Sequence, residues 1–102
     1  MQDKQLKVIA ELTCSVVGEG TSVSKYVKAA VEQIDKFQGI RVLHHPMGTI
    51  IEGKSIDQIF EVTKLAHEAI FAMGVERVVT RLIVDDRRDK GRVMEDKTKA
   101  IE

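Results

Sequence analysis

The stretch LHHPMGTIIEG, residues 43–53, decides the expected fold of the chain. Two apolar runs flank the tripeptide Pro46-Met47-Gly48. Proline presets φ near about −65° and glycine tolerates positive φ, so the tripeptide predicts a reversal between two strands. Because histidine, threonine and glutamate side chains stand in this hairpin, its tip is where we expect a functional site.

Hydrophobic patterns on both sides of the hairpin predict further strands and helices. Residues 6–16 alternate between apolar and polar side chains, as a half-buried strand does. The expected strands are 6–16, 40–45, 48–54 and 77–84, and the expected helices run from the N-cap candidates Thr21, Ser22 and Ser24 to about Phe37 and from Ser55 to Met73. This order predicts the α+β class and a ferredoxin-like βαββαβ sandwich, with two helices on one face of a four-stranded antiparallel sheet.

Glycine and polar residues mark the expected ends of the helices. Gly39 is expected to stop the first helix. Ser55 and Gln58 have the spacing of a capping box for the second helix, and Gly74 suits its left-handed C-terminal cap. Residues after Gly91 are expected to form a short, weakly amphipathic C-terminal helix.

Composition restricts the function classes. The 102 residues are expected to form one domain (1–102), and 16 basic residues balance 16 acidic ones, so no net charge draws the protein toward nucleic acid or an anionic membrane. Tryptophan is absent, which disfavours a stacking platform for bases. Cys14 is the single cysteine, which excludes an internal disulfide and a cysteine-based zinc site. No apolar run has the length of a membrane span, and the expected location is the cytoplasm.

The sheet face opposite the two helices is expected to be bare. If the alternation holds, it carries these side chains: Ile9, Glu11, Thr13, Ser15, Leu43, His45, Arg81 and Ile83. A face that mixes isoleucine and leucine with polar groups suits a subunit interface better than bulk water. We therefore expect a homo-oligomer.

The histidines do not predict a metal site. His44 and His45 are adjacent on a strand, so their side chains point to opposite faces and cannot chelate one metal. His44 is expected to be a structurally satisfied histidine on the side of Val42, whereas His45 can face a pocket on the open side. His67, on the second helix, is expected to be solvated or at an interface.

Thr49 and Glu52 follow the turn and have two interpretations. They can be a strand-forming threonine and a solvated strand end, or a hydroxyl and a carboxylate presented to a small ligand at the sheet edge. The residue types leave both interpretations open.

Other segments give weak functional signals. Residues 18–22, GEGTS, precede a helix but lack a dinucleotide or phosphate-loop fingerprint. The mixed charges of residues 85–90 favour ion pairing between subunits over a metal site. Cys14 has no neighbouring base and Ser15 no nucleophile-elbow context, so the sequence argues against an enzyme.

Several segments together resemble one known family. They are residues 22–27 (SVSKYV), 47–53 (MGTIIEG), 66–68 (AHE) and 85–87 (DDR), with Gly74 and Arg77-Val78. The resemblance covers nearly the whole chain and is to the thiamine-binding protein family, once catalogued as the UPF0045 or DUF77 group. Two positions depart from the family pattern: Val16 stands where a proline is frequent, and His44 stands where an aliphatic residue is usual.

The resemblance implies a ferredoxin-like fold, dimers or tetramers joined through the sheets, and binding of thiamine or its hydroxymethylpyrimidine moiety without catalysis. No metal or further cofactor is expected. The candidate ligand contacts are Ser15, Gly48 and Thr49 for the pyrimidine edge, Met47 for its face, Glu52 and then Glu11 for the thiazolium charge, and His45. The alternative is a structural or regulatory oligomerisation module that binds no thiamine.

Overall fold

The computed structural model describes residues 8–20 and 23–102. Its elements are β1 (Val8–Val16), α1 (Ser24–Lys36), β2 (Arg41–His45), β3 (Gly48–Gly53), α2 (Ile56–Phe71), β4 (Val78–Asp86) and α3 (Met94–Lys99). The order of the first six elements and their ferredoxin-like arrangement confirm the expected fold class. The short C-terminal helix is also present.

The four strands form one antiparallel sheet in the order β2-β3-β1-β4. Across its middle, Leu43 pairs with Ile50, Ile50 with Glu11, and Glu11 with Ile83. These four side chains share one face because residues that pair directly across a sheet point to the same side. We call it the open face, since α1 and α2 pack on the other side.

The core lies between the sheet and the two long helices. The buried cluster comprises Val8, Ala10, Leu12, Tyr26, Ala30, Ile34, Ile51, Ile59, Val62, Ala66, Ile70 and Val75. Alternate residues of β1 and helically spaced residues of α1 and α2 supply it, as their sequence periods require. None of the helices in the described part of the chain combines the length and the apolar character needed to cross a bilayer.

The ends of the helices differ partly from expectation. Val23 is the N-cap of α1 and Ser24 is already helical, so Ser24 is not the cap; Thr21 and Ser22 lie outside the described residues. Ser55 caps α2, since its Oγ accepts a hydrogen bond from the Gln58 amide at 3.3 Å. The Gln58 side chain accepts from the Lys54 amide rather than from that of Ser55.

Gly48 is required for space rather than for backbone conformation. Its φ is not positive, contrary to the expectation for this turn. A Cβ built on Gly48 would lie 2.8 Å from Cγ2 of Thr13 and 3.2 Å from the carbonyl oxygen of Leu12. The start of β3 therefore approaches β1 so closely that only glycine fits.

One end of the open face is not bare, because α3 packs on it. Met94 is buried, and its amide donates a hydrogen bond to Oε2 of Glu52. Ile9, which pairs with Glu52 across the sheet, is buried as well. The expectation of an uncovered face therefore holds for the half of the sheet that contains Leu43 and Ile83.

Candidate ligand-binding site

A cavity of about 390 Å³ lies between α1 and the end of the sheet that carries the β2–β3 turn. Its lining residues are Leu12, Thr13, Cys14, Ser15, Val27, Ala30, Val31, Ile34, His44, His45, Pro46, Met47, Gly48 and Thr49. This volume is within the range of small-molecule sites. Five of the seven predicted ligand contacts line the cavity, and the other two, Glu11 and Glu52, do not.

One wall of the cavity is a stripe of α1. Val27, Ala30, Val31 and Ile34 follow the spacing of a single helix face, so they line the same side. Leu12 of β1 lies across from them, and the two sets give the cavity an apolar interior. A flat heterocycle can exchange water for apolar contacts there without leaving polar groups of the protein unpaired.

Thr49 supplies a polar group to this interior. It is 7% exposed and lies on the helix-facing side of β3. Its Oγ1 is 2.9 Å from Nδ1 of His44, and Nε2 of His44 is 2.9 Å from Oδ1 of Asp35 on α1. His44 is therefore hydrogen-bonded on both ring nitrogens, which confirms the expectation of a satisfied histidine.

The rim of the cavity is built by the turn and by β1. Ser15 and Met47 stand there, and Met47 is 79% exposed. The Met47 amide donates to Nδ1 of His45 at 3.2 Å, so the neutral ring carries its proton on Nε2. That Nε2 is 3.0 Å from Oε2 of Glu11 but makes no aligned hydrogen bond. Glu11 thus stands next to the rim without lining the cavity.

Glu52 does not line the cavity beside Thr49. The two residues are three apart on one strand, so their side chains lie on opposite faces of the sheet, and the expectation that they are presented together is wrong. The Glu52 side chain is fully buried; Oε1 is 2.8 Å from Nη1 of Arg41, and Oε2 accepts the Met94 amide. Its carboxylate holds α3 against the sheet and is not free for a ligand.

Cys14 lines the same cavity and lies on the core face, as expected. Burial raises the pKa of its thiol, and a hydrogen bond from Thr80 opposes this effect. The Thr80 hydroxyl lies 3.7 Å from Sγ and 2.6 Å from Nδ1 of His67. His67 also packs edge-on against Phe71, so it is half-buried rather than solvated, and its place at an interface stays a prediction.

The charges of residues 85–89 form ion pairs within the chain, and pairing with another subunit stays a prediction. Asp85 accepts hydrogen bonds from Lys97 and Arg92, which lower its pKa. Arg87 pairs with Asp89 at 2.6 Å, and Arg88 with Asp86 at 2.7 Å. Among residues 8–20 and 23–102, no three histidine, cysteine or carboxylate side chains are grouped so that they could hold a metal ion.

Two features of the site were absent from the sequence reasoning. The α1 stripe was assigned to the core, and its role as a cavity wall depends on how far the hairpin lies from the helix. The contact between His44 and Thr49 could have been predicted in part from the sequence. The two residues pair across the hairpin, and residues that pair in this way point to the same face. No local signal marked Asp35.

Comparisons with known proteins identify the family. The model of the family described as thiamine-binding protein matches residues 10–102. A UPF0045 protein of Methanothermobacter thermautotrophicus is 42% identical over 95 residues, covering 92% of this chain and 95% of that protein. A crystal structure of a hypothetical protein from Methanocaldococcus jannaschii, 43% identical, superposes with a TM-score of 0.84 and covers 93% of this chain and 95% of its own.

A second solved structure supports the fold alone. The domain of unknown function DUF77 from Bacillus cereus has a TM-score of 0.82 at 24% identity, covering 95% of this chain and 91% of that one. The family model and the two archaeal relatives span nearly the whole sequence. The chain therefore belongs to the thiamine-binding protein family.

Proposed function

We propose that the protein is a non-catalytic binder of thiamine or of its hydroxymethylpyrimidine moiety, and that the cavity beside α1 is the binding site. The family supports the ligand class. The observation that carries the location is the cavity itself, where an apolar helix stripe faces the Thr49 hydroxyl and Ser15 stands at the rim. A pyrimidine needs this combination of an apolar surface for its faces and hydrogen-bonding groups for its edge.

The two rings of thiamine require different surroundings. The aminopyrimidine fits the apolar interior, where Thr49 can meet its polar edge and Met47 can cover a face from the rim. The thiazolium ring is cationic and favours a nearby carboxylate. Glu11 stands next to the rim and is half exposed, whereas Glu52 is occupied by Arg41 and the Met94 amide. We therefore assign the thiazolium contact to Glu11.

Calorimetric titration with thiamine and with hydroxymethylpyrimidine tests this proposal. Val31→Trp places an indole in the cavity and should abolish the binding heat. Glu32→Trp adds the same ring to an exposed position of α1 and should leave the binding intact. Glu11→Gln should weaken thiamine more than the neutral pyrimidine. A folded protein that gives no heat with either ligand at millimolar concentration contradicts the proposal.

We further propose that the uncovered half of the open face joins two copies of the chain. Leu43 on β2 and Ile83 on β4, the two edge strands of the sheet, are 50% and 58% exposed there, a large apolar exposure for a small protein. Glu11 and Arg81 add charges of both signs, which a two-fold arrangement can pair. Because Glu11 lies between this face and the rim, the site would stand near the interface.

Sedimentation equilibrium tests the assembly, with Ile83→Lys as the disrupting variant. Monomers are expected for the variant and dimers or tetramers for the unchanged chain. An assembled protein that responds to no pyrimidine would favour the alternative function, a structural or regulatory oligomerisation module.

A further inference from the structure

A hydrogen-bonded series of three side chains leads from the surface of α1 into the cavity. Asp35 Oδ1 is 2.9 Å from His44 Nε2, and His44 Nδ1 is 2.9 Å from Thr49 Oγ1. The series ends on a cavity-lining hydroxyl that is almost fully buried. It links α1, β2 and β3, with Asp35 and His44 partly exposed and Thr49 buried.

The chemistry of the three groups fixes the position of each proton while the imidazole is neutral. An ionised carboxylate only accepts hydrogen bonds, so His44 must carry its proton on Nε2 to bond with Asp35. Nδ1 then has a lone pair and no hydrogen. The contact between Nδ1 and Thr49 therefore requires the threonine hydroxyl to donate its only proton to the ring.

We propose that Asp35 and His44 hold the Thr49 hydroxyl as a hydrogen-bond acceptor toward the cavity, so that the site selects a ring bearing an amino donor. With its proton committed to His44, the threonine oxygen has only lone pairs to offer a ligand. An exocyclic amino group satisfies them, whereas a methyl group of similar size leaves them unpaired. This inference rests on the proposed function, because it assigns the Thr49 contact to the amino group of the pyrimidine.

Protonation of His44 reverses the arrangement. The imidazolium carries hydrogen on both nitrogens, so Nδ1 donates to Thr49 and the threonine proton becomes free to point into the cavity. Among the described residues, Asp35 of α1 is the charged group hydrogen-bonded to the ring, and β3 contributes the neutral Thr49. The preference for an amino ligand therefore belongs to the neutral imidazole.

Binding measurements with two probes test the selectivity. The probes are 4-amino-5-hydroxymethyl-2-methylpyrimidine and its analogue with a methyl group in place of the amino group. Thr49→Val should weaken the amino probe about tenfold, the effect of one hydrogen bond, and should not weaken the methyl probe. Thr49→Ser should restore the preference. Thr63→Val is the matched control, since the Thr63 hydroxyl bonds to the Ile59 carbonyl oxygen inside α2.

Imidazole ¹⁵N NMR tests the proton positions without any ligand. Hydrogen on Nε2 and a bare Nδ1 are expected for the neutral His44 ring, and Asp35→Asn should raise the share of the other tautomer. Hydrogen on Nδ1 in the neutral ring overturns the inference. Equal affinity for the two probes also overturns it while leaving the proposed function intact, whereas a lack of binding by both probes contradicts the proposed function together with the selectivity.

Discussion

Glu52 offers the sharpest test of how the chain is held together. Its carboxylate is fully buried and accepts two donors, the Arg41 guanidinium at 2.8 Å and the Met94 amide. Glu52→Gln keeps the shape but replaces one acceptor oxygen with an NH₂ group, which must then face one of the two donors. The variant tests these two contacts while changing little of the packing.

The expected loss follows from the unpaired donor. A buried donor without a partner costs about 1–3 kcal/mol, and Arg41 is half exposed, so water can relieve its side of the pair. We therefore expect Glu52→Gln to lower the free energy of unfolding by about 2 kcal/mol, or to lower Tm by roughly 10 °C for a domain of this size. Urea unfolding followed by circular dichroism measures the change.

Amide hydrogen exchange locates the effect. The Met94 amide should exchange faster in Glu52→Gln, while amides in the middle of α2 follow the global loss of stability. Glu95→Gln is the matched control, because it removes the other, exposed partner of Arg41 and should change stability little. If Glu52→Gln unfolds at the same urea concentration as the unchanged chain, the carboxylate does not hold α3 in place.

Three further predictions concern other parts of the molecule. Hydrogen bonds from Lys97 and Arg92 lower the pKa of Asp85, so its contribution to stability is present above about pH 4 and is lost as the pH falls through the folded pKa. Asp85→Asn should therefore flatten the acid limb of the stability curve below about pH 4. Gly48→Ala should cost about 1–3 kcal/mol in urea unfolding because of the contact with Cγ2 of Thr13, and Thr13→Ser in the same chain should recover part of the loss. Burial raises the pKa of Cys14, so alkylation of its thiol by iodoacetamide should be slow at pH 7 and faster above pH 9. Bound pyrimidine should protect the thiol, and unchanged labelling at saturating ligand would contradict the proposed location of the site.

The fold was predictable because local patterns agree with one another. Period-two alternation in β1, helical stripes in α1 and α2 and the turn at Pro46-Met47 all support the same sandwich. The same alternation correctly placed His44 and His45 on opposite faces. It also separates Thr49 from Glu52, three residues apart, and the expectation that they act together ignored that consequence.

The parts that sequence reasoning missed depend on contacts between distant segments. Glu52 contacts Met94, 42 residues later, and Arg41 contacts Glu95, 54 residues later. The sequence around the hairpin therefore could not show that α3 covers Glu52. The cavity has the same origin, because its volume depends on the distance between α1 and the hairpin tip. Residue types predicted which side chains stand at the tip, but only packing decides which of them line one pocket.

The start of α1 has a consequence for how fast a ligand can enter and leave. Val23 cannot cap the helix with its side chain, and the first turn is fastened to the preceding loop by the Tyr26 hydroxyl, which donates to Glu19 at 3.0 Å. Val27 belongs to this turn and to the cavity wall, whereas Ile34 lies deep in the core. Opening of this turn would uncover the cavity while the rest of the helix stays packed, and it would also withdraw the Tyr26 ring from the core, where it is 5% exposed. Exchange of a ligand at the proposed site would then require the local opening of this one turn and not the unfolding of the domain.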